Sequence, residues 1–441
     1  MKRLLIVVSF CSFYFLSKAQ NDASQNLTLD QAIELGFKYN ASIKNSAIDI
    51  QLAEQRVREI LSSGLPQING TGSINDYIKS PVSLIPAQIF GGPAGTYTEV
   101  SFVPKYNMSG GISASQLLFN GSYFYGVKAS KEYAEFVKIQ QAKTKFDVER
   151  DITKAYLTVL TAQETKSILE ETKKRIDKQL SDISEIYKQG LTEKLDVDRL
   201  KLAQSQLIQQ QDQLNASILV LKSLLNLQMG YDVNKPFSPS SKLEDLNKKF
   251  DYAVYSQTNF DPNNKIEIQL LNKALDLQKL NIEATKSAYF PTLAAFGSYQ
   301  KNGQNNKFNF PKYYTTALVG VQLSVPIFDG FNKDAKIKQA KLSLTQSENT
   351  KASVQNALTM AYINANTNVN NAKNQLELNK QTLNLAQTVY NITKAKYDEG
   401  VGNSFELITA DSDLKNAKIQ NVVAQFNLLN SIFDLKTAIG K

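Results

Sequence analysis

From Ser122 to about Lys188 the chain has no proline, and from Phe331 to about Glu399 it again has none; Gly126 is the one glycine inside either stretch. Glycine and proline are the strongest breaks in a helical pattern. Their absence predicts two helices of roughly 100 Å each, at about 1.5 Å of rise per residue. A compact domain is far smaller than that, so lengths of this kind predict coiled coil. Each run ends in a glycine turn, "YKQGLTEKLDV" at Tyr187–Val197 and "YDEGVGNSFEL" at Tyr397–Leu407, followed by a helix running back. On the first return helix Leu200, Leu207, Leu214 and Leu221 recur every seven residues, with Ile218 and Leu225 in the alternate seam. The same register shifted by 210 carries Ala410, Ala417, Ala424 and Ser431. The leucines fit a plain two-helix coiled coil, whereas the small row fits a wall of helices with further close neighbours; both readings stay open. The polar run Asn364, Asn366, Asn368, Asn370, Asn371 and Asn374 reads as a solvated face.

The turns belong to a larger duplication, the first thing to look for in a long chain. "GLPQI" at Gly64–Ile68 answers "YFPTL" at Tyr289–Leu293, and "LFNG" at Leu118–Gly121 answers "IFDG" at Ile327–Gly330. Offsets between the later landmarks are 209 and 210, against 225 between Pro66 and Pro291, so the first copy holds about 16 extra residues before its "LFNG". The organisation predicted is a first repeat at 20–230, with a β-hairpin at about 66–119 and a tip at 190, and a second at 265–441, with a hairpin at about 291–328 and a tip at 400. The proline-containing segment 231–264 joins them. The first helix starts at a capping box, Thr28 with Gln31 three residues on, and is expected to run to about Ser62, before Pro66.

Between each proline and its corner the pattern changes to period two. In "YYTTALVGVQLSVPIF", Tyr313, Ala317, Val319, Val321, Leu323, Val325 and Ile327 alternate with Thr316, Gly320, Gln322 and Ser324. In "YNMSGGISAS", Tyr106, Met108, Ile112 and Ala114 alternate with Asn107, Ser109, Ser113 and Ser115. One apolar and one polar face suits a half-buried soluble sheet, but ten or more alternating residues is also the length of a tilted membrane strand. Aromatics near the strand ends (Tyr97, Tyr106, Tyr123, Tyr125, Phe310, Tyr313, Tyr314) suit interfacial belts or surface packing. Two hairpins give four strands, too few to close a barrel, and an open edge is not viable in lipid. Transmembrane strands would therefore require several chains; three would give twelve strands. The Pro- and Gly-rich stretch Pro81–Glu99 is expected to form a longer cell-surface loop than Lys301–Lys312 of the second copy.

Composition removes most enzyme chemistries. The chain has 441 residues, no histidine, and one cysteine, Cys11. Residues 1–19, with Lys2 and Arg3, an apolar run from Leu4 to Leu16, then Ser17 and Ala19, read as a secretory signal peptide cut before Gln20. Removing it takes Cys11 away and leaves no thiol, disulfide, triad with histidine or His/Cys zinc site. No catalytic, cofactor-binding or metal-ligating residue is assigned. The formal charge of +9 becomes +6 when Lys2, Arg3 and Lys18 leave. The cations are scattered among acids along helices, as on solvated faces, and no basic cluster suited to nucleic acid stands out. No apolar run of 18 follows the signal.

Order, duplication and spacing of these motifs together resemble the TolC family of outer-membrane efflux channels, over nearly the whole mature chain. "LTLDQAIELGFKYNASI" is similar to the family's opening helix, "LFNG" and "IFDG" to its strand-to-helix corners, and the two Y-x-x-G turns to its hairpin tips; Ala41 stands where a proline is common. The resemblance implies a mainly α fold with membrane β: a homotrimer with a shared twelve-stranded barrel, four strands per chain, continued by a long coiled-coil tunnel across the periplasm. It implies an outer-membrane exit duct that takes substrates from a periplasmic adaptor (membrane fusion protein) and an inner-membrane transporter, in tripartite efflux or type I secretion, without cofactor. By resemblance, Gly190, Leu191, Thr192, Gly400, Val401, Gly402 and Ser404 would dock the adaptor. Glu406, six after the second tip glycine, matches an acidic pore-constriction position, while Thr409 replaces the acid three further on. Tyr397 and Asp196 match gate contacts, and Gly402 replaces an arginine that helps lock the gate. A different class, a periplasmic coiled-coil structural or adhesive protein without a pore, shares the long helices and is distinguished by not needing detergent. An enzyme using carboxylates alone is disfavoured, since no pocket-forming globular domain is visible.

Overall fold

The structure is a computed structural model that describes residues 25–243, 245–246, 250, 252 and 260–440. The expected signal peptide lies outside the described residues, as does part of the 231–264 joining segment. Backbone contacts divide the chain into two units, one gathering the residues up to Ala41 with Asp147–Ser256 and Asn366–Leu435, the other Ser42–Phe146, Gln257–Ala365 and the chain from Lys436.

In the first unit a short strand β1 (Gln25–Leu27) leads to α1 (Leu29–Tyr39). The capping box is formed: the Gln31 amide donates to Thr28 Oγ1 at 3.3 Å, and the Thr28 amide donates to Gln31 Oε1 at 2.9 Å. The helix expected to run unbroken to Ser62 is in fact two, because Asn40 leaves helical geometry (φ −59°, ψ 129°) before α2 (Ala41–Ser62) begins. Asn40 is held there by its side-chain amide, which donates to the Gln228 carbonyl at 2.7 Å. That carbonyl lies in the last turn of a helix, where carbonyls lack partners within the helix.

The second unit is organised by a sheet. The strands β2 (Gln67–Asp76) and β5 (Tyr106–Phe119) enclose a small antiparallel pair, β3 (Ser83–Pro86) with β4 (Tyr97–Val100), inside the long loop. The "LFNG" corner then opens α3 (Gly121–Lys188). Its asparagine acts as a helix cap: the Tyr123 amide donates to Asn120 Oδ1 at 3.1 Å. In "IFDG" the Lys333 amide donates likewise to Asp329 Oδ2 at 3.0 Å.

After α3 the chain turns into α4 (Lys194–Met229), and β6 (Phe237–Pro239) returns to pair in parallel with β1. Tyr156 of α3 is fully buried behind this pair, its hydroxyl donating to the Leu27 carbonyl at 2.8 Å. The second copy follows as α5 (Ile266–Ser287), β7 (Thr292–Asn305), β8 (Tyr313–Ser324), α6 (Asn332–Asp398) and α7 (Ser404–Ile439). The hairpins join through β5 and β7 into one antiparallel sheet of order β2-β5-β7-β8.

Both tips, in the first unit, use a glycine in left-handed backbone, φ 77° at Gly190 and 76° at Gly400. The following amides reach back to the helix, Leu191 to the Ile186 carbonyl at 3.1 Å and Val401 to the Lys396 carbonyl at 3.0 Å. This is the six-to-one bond of a Schellman ending, which a residue with a Cβ resists. The seam residues pack beyond a two-helix coil. Ile419 of α7 joins Leu214 of α4 against Leu169, Ile176 and Leu207, and Ala410, Ala417 and Ala424 are buried. Ala410 packs within its own hairpin, against Tyr390, Leu407 and Leu414, while Ile419 supplies the contact with the first hairpin.

Candidate functional site

Strand register decides what the sheet can face. Ile68 pairs with Ala114, Gly70 with Ile112, and Ile74 with Met108. Across the next strands Ile112 pairs with Tyr299, Tyr299 with Ala317, Ala295 with Val321, and Leu293 with Leu323. Directly paired residues share a face, and successive residues alternate. One face is therefore mainly apolar across all four strands, with Lys301 between Gly110 and Thr315 toward the loop end. The other carries Asn69, Thr71, Ser73 and Asn75 beside Ser115, Ser113, Ser109 and Asn107, then Ser298, Gln300 and Thr316. Ser73 and Ser109 bond hydroxyl to hydroxyl at 2.7 Å.

The apolar face is uncovered in the single chain, with Ile68 71%, Val319 86% and Leu323 62% exposed. A sheet in water buries such a face. The strands are 10 to 14 residues long, as a tilted membrane strand requires. Among the described residues both outer strands, β2 and β8, keep a free edge. Tyr106, Tyr313 and Tyr314 begin strands at the loop end of the sheet, while Tyr123 and Tyr125 follow the corner at the other. No described helix is long and apolar enough to cross a membrane.

The tips form a second constellation, within the other unit. Asp196, in the first turn of α4, accepts a hydrogen bond from Thr192 Oγ1 at 2.9 Å and another from Ser404 Oγ of the opposite tip. Arg199 lies 3.7 Å away on the same helix. Tyr397 packs against Ile183, Val197 and Leu200 on one side and against the Tyr390, Leu407, Ala410 and Leu414 cluster on the other. Burial, and then the Asp196 charge, push its phenol up from the ordinary value. Asp196 and Tyr397 therefore meet in one polar and apolar joint. Leu191 and Val401 project from the turns, 74% and 80% exposed.

Gly402 has a steric reason for lacking an arginine side chain. A Cβ there would come within 2.9 Å of the Tyr397 backbone nitrogen. Glu406 and Thr409 are both exposed and stand three apart on α7, on one helix face. The Glu406 amide donates to Asn403 Oδ1 at 2.8 Å, which caps the helix.

Two ion pairs escaped sequence reasoning. Arg175 of α3 meets Asp411 of α7, and Glu171 meets Lys418 at 2.9 Å. Burial pushes the Asp411 carboxyl up against the pull of Arg175. The available signal was an acid immediately beside the small seam residue Ala410.

The sequence profile described as outer membrane efflux protein matches residues 33–227 and 263–441. The chain belongs to the outer membrane efflux protein family. Outer membrane protein TolC of Vibrio cholerae is 24% identical over 448 residues, 97% of this chain and 94% of its own. The proteases secretion protein PrtF of Dickeya chrysanthemi is 20% identical over 55% of this chain and 52% of its own. The solved CmeC outer membrane channel of Campylobacter jejuni superposes with a TM-score of 0.72 at 16% identity, covering 93% of this chain and 85% of that one. This family member has the fold of the outer-membrane channels. It is a transport duct, not an enzyme, and its place is the outer membrane.

Proposed function

We propose that three copies of this chain close their sheets into one twelve-stranded barrel. Each copy contributes two structural repeats, 20–230 and 265–441, joined by 231–264. The observation that carries this reading is the four-stranded sheet with one apolar face and two free edges. In lipid every strand edge must be paired, so β2 of one copy meets β8 of the next. The apolar face then turns to lipid and the amide- and hydroxyl-bearing face to water. Through this barrel the trimer passively conducts solutes delivered by a periplasmic adaptor and an inner-membrane transporter, in efflux or type I secretion. The exposed Leu191 and Val401, with Gly190, Thr192, Gly400, Gly402 and Ser404, form the adaptor-docking tips. Asp196 and Tyr397 hold the tips at rest, and Glu406 with Thr409 lines the constriction. Mass measurement of detergent-solubilised protein should give three chains. A monomer stably inserted in bilayers, or a protein that leaves the membrane fraction without detergent, overturns this assembly.

A further inference from the structure

Below the sheet, in the same unit, a groove of about 630 Å³ runs between α3, α5 and α6. Three of its lysines are neutralised on the spot: Lys273 by Glu132 at 2.8 Å, Lys286 by Glu283 at 2.6 Å and Lys279 by Asp276 at 3.5 Å. The side-chain ammonium groups of Lys128 on α3 and Lys341 on α6 make no ion pair or hydrogen bond among the described residues, and both residues are exposed. Between these walls lie Leu280 and Leu344, partly buried. The site is thus amphiphilic, with two uncompensated cations beside an apolar strip.

Its depth is fixed by chain continuity. The helix α3 starts two residues after β5 ends, and Lys128 follows seven residues later, about two turns or roughly 10 Å along the axis. Lys341 lies nine residues into α6, roughly 14 Å along its axis. Helical side chains tilt toward the N-terminus. On α3 and α6 that direction leads back to the strands. Both ammonium groups therefore lean toward the sheet end of the helices.

Resting on the outer-membrane reading above, we propose that this groove seats an anionic phospholipid of the periplasm-facing leaflet, its phosphate between Lys128 and Lys341 and its acyl chain along Leu280 and Leu344. A free phosphate would use the cations and leave the leucines idle. A zwitterionic lipid would gain little from two lysines whose charge no neighbour answers. Basic residues near a membrane surface each strengthen attachment to anionic lipid severalfold.

The test uses the full-length protein in detergent, titrated with phosphatidylglycerol or phosphatidylcholine and read by native mass spectrometry. Wild type should hold phosphatidylglycerol preferentially. The surface variant Lys128→Gln/Lys341→Gln should bind it about thirty-fold more weakly, with phosphatidylcholine unchanged. Lys336→Gln, an exposed lysine of α6 outside the groove, should behave as wild type. Equal retention of phosphatidylglycerol by the double variant, equal retention of the two lipids by wild type, or displacement by millimolar inorganic phosphate overturns the proposal. So does preferential capture of soluble anionic peptidoglycan fragments. Chain number and bilayer conductance of the same samples report on the channel separately, so a lost lipid site and a failed channel assignment give different results.

Discussion

Arg175 Nε donates to Asp411 Oδ1 at 2.7 Å, joining α3 of the first hairpin to α7 of the second through a carboxylate whose side chain is 3% exposed. The guanidinium also bonds Glu171 at 2.9 Å and lies 5.8 Å from the centre of the Tyr390 ring. Removing one partner of a buried pair strands the other charge, whereas replacing both with apolar groups does not. Asp411→Ala should lower stability by about 3 kcal/mol, and Arg175→Met/Asp411→Leu should recover most of the loss, measured as denaturation midpoints in detergent.

The same pair sets a pH dependence. Burial raises the folded-state pKa of Asp411 above its unfolded value. Between those two values the native state binds the proton and the unfolded state does not, so this group's contribution to stability falls as pH rises through the window. Relative to Asp411→Asn, wild type should gain stability as pH drops from neutral toward the ordinary carboxylate range. A difference between the two proteins that stays flat with pH contradicts a raised Asp411.

Asn40 and Lys265 do one job in the two copies. Asn40 Nδ2 donates to the Gln228 carbonyl at 2.7 Å, and Lys265 Nζ donates to the Thr437 carbonyl at 2.6 Å. They stand 225 residues apart, the offset of Pro66 and Pro291, and each closes the last turn of a return helix. Lys265 is almost fully buried, and desolvation pushes its ammonium pKa down. Asn40→Ala and Lys265→Met should each cost about 1 kcal/mol. The local readout is faster amide exchange, confined to the last turn of α4 in one variant and of α7 in the other.

Much of this architecture was legible because it depends on period and punctuation. The proline-free runs became α3 and α6, the alternating runs became strands, and Thr28 and Gln31 formed their box. The break at Asn40 was not legible, since what ends α1 is a carbonyl 188 residues away. The Arg175–Asp411 pair was hidden likewise: heptad spacing identifies the seam but not the partner, and these residues are 236 apart. At the tips, Asp196 and Tyr397 were singled out by resemblance. The bond from Ser404 to Asp196 and the steric demand at Gly402 needed coordinates.

The long loop offers a test of orientation. Between β3 and β4 a 3₁₀ turn ends at Phe90, which is 63% exposed and followed by Gly91. Chymotrypsin added to intact cells should cut after Phe90, while the paired residues Ser83–Pro86 and Tyr97–Val100 resist. Cleavage seen only after cells are opened reverses the assigned orientation.

Asp196 offers a test of the resting tips. Its carboxylate is shared between Thr192 and Ser404, so Asp196→Ala releases both hydroxyls at once. Ser404→Ala removes only the link between tips. If this joint holds the tips together, both variants should open more often than wild type in planar bilayers, with Thr192→Ala nearer the parent. Equal opening in all three variants and the parent removes Asp196 from the gate.

Glu406 carries the constriction proposal. It is exposed in the single chain, and its face of α7 also carries Thr409. One carboxylate per chain would place three around a threefold axis, a ring of negative charge that favours cations. Thr409 adds no charge, and its hydroxyl is occupied by the Phe405 carbonyl at 2.8 Å, so Glu406 would supply the field alone. Glu406→Gln in planar bilayers should weaken cation selectivity and block by multivalent cations, with the number of chains unchanged. Thr409→Asp should do the opposite, because it adds a second ring three residues along the same face. If Glu406→Gln conducts and is blocked like its parent while Thr409→Asp alters both, the constriction lies at 409 and Glu406 is a solvated surface acid.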